Sequence, residues 1–203
     1  MKINNINIQT DGYIRCKSIF YSAEDLLSNR DCYTFKLGIN KLIGEIDSGI
    51  WAISYLLSMY KRRSKDFIIL KDPLITINSE SVTLDELNKI SCYMDRSYPL
   101  FSRNRPVRTL IKQGIARSGL NYTCEDIRDL FCIHPERFER PIHSIGNEIF
   151  KAMAAIGYSN GKEIFCFPWL SHKRFYGYHR HLSCLLEILE KLDKIAIVPV
   201  GTQ

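Results

Sequence analysis

Gly44 and Gly49, five apart in Gly44-Glu45-Ile46-Asp47-Ser48-Gly49-Ile50-Trp51, have the type and spacing to do chemistry. Between a strand and a helix, such glycines free the backbone to curl. Its N–H groups and the helix N-terminus can then face an anion. Alone the pair is weak, since a tight strand-to-helix turn needed only for packing leaves the same trace. A second stretch, His172-Lys173-Arg174-Phe175-Tyr176-Gly177-Tyr178-His179-Arg180-His181, mixes cations with aromatics as nucleic-acid surfaces do. The preferred reading is a solvated segment entering a helix, its aromatics against the core. His179 and His181 are two apart and point away from each other on a helix, so they make no metal pair. Lys61-Arg62-Arg63 with Lys65 reads as a solvated helix end. No H-E-x-x-H or C-x-x-C occurs, and no metal site is expected.

The elements that must position these residues follow from hydrophobic period and turn chemistry. Residues 3 to 15 alternate polar and apolar around Asp11-Gly12, which predicts a hairpin. A strand pair is expected around Tyr33 to Leu37, then a short strand Lys41-Leu42-Ile43 leading into the glycine loop. Trp51 to Tyr60 is apolar around much of its circumference and predicts a buried helix. Phe67 to Leu70 reads as an apolar strand that Leu74 to Ile77 extends. Thr83 and Glu86 have capping-box spacing. Residues 103 to 144 read as helical, with breaks at Gly114, Gly119-Leu120-Asn121 and Pro135. A helix closed by Gly157, a buried strand at Ile164 to Phe167, a helix from His179 to Leu192 and a buried strand at Ile195 to Val198 complete the chain. Apolar strands alternating with helices predict an α/β fold with a largely parallel sheet.

The chain of 203 residues, 45% hydrophobic and 25% charged, is sized for one core, so a single domain spanning 1–203 is expected, with a helical subdomain near 96–150. Its seven cysteines are an odd number, which argues against a disulfide framework and favours small buried hydrophobes in a reducing compartment. The absence of a long apolar run or a signal-like start leads to an expectation of a cytoplasmic protein without membrane insertion. A net charge of +6 permits an acidic partner without demanding one.

The order of these segments resembles the ATP-binding domain of ATP-binding-cassette (ABC) proteins from end to end. Phe20-Tyr21 stands where that family keeps an adenine-stacking aromatic. Gly44 to Trp51 matches its phosphate loop. Ser91 to Asp95, followed by Leu100-Phe101, matches the strand and loop that normally carry a glutamine. A helical subdomain follows, and His143-Ser144-Ile145-Gly146-Asn147 stands at the family signature, opening a helix. Lys162 to Phe167 matches the strand that ends in a metal-binding aspartate and a catalytic glutamate. The resemblance implies a P-loop NTPase-like, ABC-type core with N-terminal antiparallel strands and an inserted helical subdomain.

The departures from that family fall on its chemistry. Ile50 replaces the phosphate-neutralising lysine, and Trp51 the magnesium-binding hydroxyl. Asp47 adds negative charge inside the loop. Asp95 replaces the glutamine, Pro168 and Trp169 replace the two carboxylates, and no histidine follows the last strand. Each lost group typically costs about 10²- to 10³-fold in rate. The resemblance therefore implies a non-hydrolysing homologue without catalytic residues. Its degenerate nucleotide-binding set would be Tyr21, Gly44, Asp47, Ser48, Gly49, Ile50 and Trp51, with Ser144 and Gly146 signature-like, Ser144 reading as a helix N-cap. No cofactor is expected; ATP is the nucleotide it would hold if any. Such a chain would serve as partner or scaffold to an ABC ATPase, a permease or a second copy, peripheral to a membrane through that partner. The alternatives are a nucleic-acid binder on a dead P-loop fold and a nucleotide binder without turnover.

Overall fold

The computed structural model describes residues 3–10, 14–17, 24–27, 32–46, 48–101, 104–177 and 179–202. An antiparallel sheet is built on β1 (Asn5–Gln9), flanked by β4 (Cys32–Lys36) and β7 (Leu74–Ile77), with β8 (Glu80–Val82) beyond β7. Its inner face alternates as strand geometry requires: Ile6, Ile8, Phe35, Ile75 and Ile77 are buried. A smaller antiparallel sheet runs β3 (Glu24–Leu27), β2 (Ile14–Lys17), β6 (Phe67–Ile69).

The core sheet has the order β5 (Gly38–Ile43), β11 (Ile195–Val200), β10 (Ile164–Cys166), β9 (Ser91–Tyr93), all parallel. Helix α1 (Ile50–Met59) crosses from β5 towards β9, and α2 (Leu84–Ile90) leads into β9. The helices α3 (Val107–Ser118), α4 (Cys124–Leu130), α5 (Pro135–Phe138) and α6 (Ile149–Ser159) lie between β9 and β10. Helices α7 (His172–Gly177) and α8 (His179–Lys191) lie between β10 and β11. The crossover to β9 and the crossovers back to β10 and β11 run in opposite directions along the sheet. Right-handed connections therefore put α1 on one face and α6 with α8 on the other. Their contacts agree: α1 touches β9, β10 and β11, while α8 touches β5, β11 and α6. Because α1 is also covered by β2 and β3, all ten of its residues are buried, which explains its apolar circumference.

Several sequence expectations hold locally. The Thr83–Glu86 capping box forms, with Thr83 Oγ1 accepting from the Glu86 N–H at 3.2 Å and Glu86 Oε2 accepting from the Thr83 N–H at 2.8 Å. Thr123 and Asp126 cap α4 in the same way. The cysteines are free thiols, but only Cys16, Cys92 and Cys166 are buried; Cys124 and Cys184 are partly exposed and Cys32 and Cys132 exposed, so the expectation that most are buried hydrophobes is not met.

Pairing differs from expectation. β1 and β2 do not form a hairpin; they belong to separate sheets, because each finds longer-range partners that bury its apolar face. The strands on either side of Leu37 also part, β4 to β1 and β5 to β11. Phe67 to Leu70 and Leu74 to Ile77 likewise fall in different sheets, and Ile68 and Leu70 are exposed. A two-residue turn at Asn78-Ser79, both with positive φ, makes the β7–β8 hairpin.

The helical segment also departs in detail. Gly114 does not break α3, and Gly157 does not close α6. A side chain at Gly114 would come within 2.9 Å of the Ser159 backbone, so glycine there permits α3 to pack closely on the end of α6. Pro135 opens α5 instead of interrupting a helix.

Candidate functional site

The strand–loop–helix is present: β5 leads through Gly44 to Gly49, and Gly49 caps α1 in a left-handed conformation with φ of 89°, open to glycine without strain. The loop's polar groups are largely directed at the protein itself. The Ser48 N–H and hydroxyl both donate to the Glu45 carbonyl, at 3.1 and 2.6 Å. The Gly44 N–H donates to the Val200 carbonyl at 3.0 Å. A Cβ on Gly44 would lie 2.5 Å from Ser48 Oγ, so the inside of the turn is filled by its own serine. The Glu45 carboxylate accepts from the Thr202 N–H and hydroxyl, which ties the loop to the segment after β11. Ile50 is buried, and Trp51 is fully buried, its ring against Tyr55. Asp47 and Tyr21 lie outside the described residues.

The exit of β10 lies alongside this loop. Leu170 bridges Val200 in parallel register, and Trp169 Nε1 donates to the Gly44 carbonyl at 3.2 Å. A Cβ on Gly201 would meet the Trp169 ring at 2.7 Å, so glycine is what lets the indole lie there. The buried Ser54 hydroxyl on α1 donates to the Phe167 carbonyl at 2.6 Å and fixes the exit from below. Pro168 and Trp169, with Asp95, Arg96, Phe150 and Arg174, line a cleft of about 500 Å³ beyond β9 and β10. Ligands of α/β sheets characteristically bind at this carboxyl end. Asp95 Oδ1 accepts from the Ser97 N–H at 2.8 Å, which orders the turn after β9.

Ser144 and Gly146 do not stand at a helix start. They fall in two 3₁₀ turns, Ile142–Ser144 and Gly146–Glu148, and α6 begins only at Ile149 with Glu148 as its N-cap. Ser144 is therefore no N-cap. Both residues are exposed. Ile145 between them is buried, so its branched side chain points into the core and does not crowd the surface. The Asn147 amide donates to His181 Nε2 at 2.7 Å, linking this turn to α8.

The basic-aromatic stretch splits between α7 and the start of α8. Phe175 is buried beneath the Lys41 ammonium at 5.2 Å, while Tyr176 is exposed and packs on His172. Among the described residues no group of three His, Cys, Asp or Glu side chains could hold a metal. Burial pushes the Cys166 thiol up to about 12 and the Cys92 thiol higher still, which removes both as nucleophiles. Arg96 and Thr202 carried no motif in the sequence, and Arg174 stood there only as part of the basic-aromatic stretch; their placement beside Gly44, Asp95 and Trp169 is what marks them.

The chain is similar in fold to an ABC transporter ATP-binding protein from Pyrococcus furiosus, with a TM-score of 0.65 and 15% identity, over 98% of this chain and 92% of that one. It is also similar to a bacterial Atm1-family ABC exporter with ATP bound, with a TM-score of 0.55 and 12% identity, over 100% of this chain and 35% of that one. At such identities the likeness establishes the fold: an α/β, P-loop NTPase-like architecture of the ABC ATPase type. No protein-family model and no curated protein matches the chain. Among the described residues no helix is long and apolar enough to cross a membrane.

Proposed function

We propose that this chain is a non-hydrolysing ABC-type domain that works by contact with a protein partner. The carrying observation is the Trp169 indole bonded to the Gly44 carbonyl, beside a loop whose serine is folded back on Glu45. Phosphoryl transfer runs on charge neutralisation and positioning, supplied by an ammonium, a metal and a polarised water. Here an isoleucine, an indole and a proline–tryptophan pair occupy those places, and the N–H of Ser48 is already committed to a turn. Nucleotide held at this loop would have to undo the Ser48 turn and clear Ser48 Oγ from the space next to Gly44.

The surface allows a contact role: Ile68, Leu70 and Leu74 are exposed apolar side chains close together in sequence, and a partner that covered them would gain by burying that area. An ABC ATPase, a permease or a second copy of this chain is the partner class consistent with the fold. The test is ATP turnover by the purified chain with Mg²⁺, beside affinity capture of the tagged chain from its native source. No turnover above buffer, with an ABC-type subunit or the untagged chain recovered in stoichiometric amount, is expected. Turnover abolished by heating the protein would overturn the proposal.

A further inference from the structure

The opposite end of the parallel sheet holds a cavity of about 470 Å³ lined by Lys61, Arg62, Asn88, Lys89 and Lys162. The topology creates it. Lys89 and Lys162 stand just before β9 and β10, and Lys61 and Arg62 follow α1, which runs back against the strands. We infer that this cavity is a binding site for a phosphate-monoester or pyrophosphate anion, independent of the glycine loop.

The charge reckoning favours that class. Lys61 shares its charge with Asp85 at 3.7 Å. Among the described residues no carboxylate forms an ion pair with Arg62, Lys89 or Lys162. Glu86 is held chiefly by Thr83 and feels Lys89 only weakly. Two helix C-termini point here, each worth about half a negative charge. Three free cations less those two ends leave about two positive charges, and a phosphate monoester carries about 1.5 to 2 negative ones.

Of the nearby backbone acceptors, the Leu56, Leu57 and Met59 carbonyls are taken by other donors. Asn88 Nδ2 donates to the Leu56 and Leu57 carbonyls at 3.2 and 3.0 Å, and the Arg63 N–H to Met59 at 2.9 Å. The Lys162 ammonium donates to the Lys89 carbonyl, which leaves it two further protons to offer. Arg62 is steadied over the Tyr98 ring at 5.4 Å, which lowers the entropic cost of presenting its guanidinium. Burial and Arg62 both hold the Lys162 pKa below the ordinary lysine range. A half-buried ammonium facing a like charge is a cost that a bound anion would relieve.

The experiment is a titration of the purified chain with sodium pyrophosphate and with inorganic phosphate at constant ionic strength, followed by heat and by thermal midpoint. A saturable rise in midpoint is expected. In the double variant R62Q/K89Q, pyrophosphate affinity should fall about tenfold or more. S48E, which puts a carboxylate in the glycine loop, should leave it unchanged. Absence of a saturable response in the parent chain would overturn the assignment, as would an undiminished response in R62Q/K89Q. Loss of binding in S48E instead would locate the anion at the glycine loop and count against the function proposed above as well. Salt-dependent binding of duplex DNA without any pyrophosphate response would mark the cluster as a phosphodiester surface and overturn it too.

Discussion

At the carboxyl ends of the parallel strands, polar groups bond one another: Ser48 to Glu45, Glu45 to Thr202, Trp169 to Gly44. At the amino ends, Arg62, Lys89 and Lys162 face a cavity with no carboxylate paired to them among the described residues. The first end has the strand–loop–helix path of an ABC-type fold, with its polar groups turned on one another. The second has the charges without any motif. A turn's path can persist for packing alone, whereas cations grouped without a carboxylate repel one another; of these Lys162 is half-buried and Arg62 and Lys89 are exposed. Residual chemistry is therefore better sought where uncompensated charge survives than where a familiar turn does.

The largest expected effect tests whether the glycine loop is now a packing device. Trp51→Ser, which places a hydroxyl where the proposed correspondence puts the family's metal ligand, should cost about 3–5 kcal/mol because a fully buried indole is lost, and should produce no ATP turnover. Urea denaturation and a phosphate-release assay check both halves. A variant I50K/W51S that is as stable as the parent and hydrolyses ATP would erase the contrast between the two ends.

Ser54→Ala removes the buried hydroxyl under the Phe167 carbonyl. It should cost about 1–3 kcal/mol by leaving a buried acceptor short of a partner. Trp169→Phe keeps most of the packing but deletes the donor to Gly44. A loss of about 0.5–1.5 kcal/mol is expected, read as a lowered denaturant midpoint at constant slope. At the other end, Lys162→Met should leave stability within about 1 kcal/mol of the parent or raise it, because a half-buried ammonium without a carboxylate is replaced by an apolar chain. A large destabilisation would mean that Lys162 serves α2 and not a ligand.

The smallest effect concerns the cap that orients α2, and with it Asn88 and Lys89. Hydrogen bonds from Thr83 hold the Glu86 carboxyl below its ordinary value of 4.5. Its contribution is present above that value and fades as pH falls through the lowered folded value. Stability measured in acid should therefore show a shallow fall that Glu86→Gln flattens.

Legibility in the sequence followed the range of the interactions. The Thr83–Glu86 box, the buried helix at Trp51 and the apolar strands at Ile164 and Ile195 were readable because caps and periodicity act over a few residues. The partition of residues 5–9 and 14–17 into different sheets was not, since alternation fixes which face is buried but not which strand lies beside it. At the candidate site, Ile50, Pro168 and Trp169 were singled out through the resemblance alone, and their standing in place of a lysine and two carboxylates belongs to the function proposed above. Gly114 was misread as a break because a glycine that admits a neighbouring helix looks locally like one that ends its own.

By itself the sequence determined the segment order of an ABC-like α/β chain and the presence of Ile50, Trp51, Pro168 and Trp169, none of which carries an ammonium, an aliphatic hydroxyl or a carboxylate, because residue identity alone limits which groups can donate, accept or bind metal. Only the tertiary structure decided that Trp169 bonds to Gly44 across 125 positions, or that Lys89 and Lys162 meet beside Arg62. Such meetings depend on strand order and crossover hand, which chain folding sets through long-range burial and no local pattern encodes.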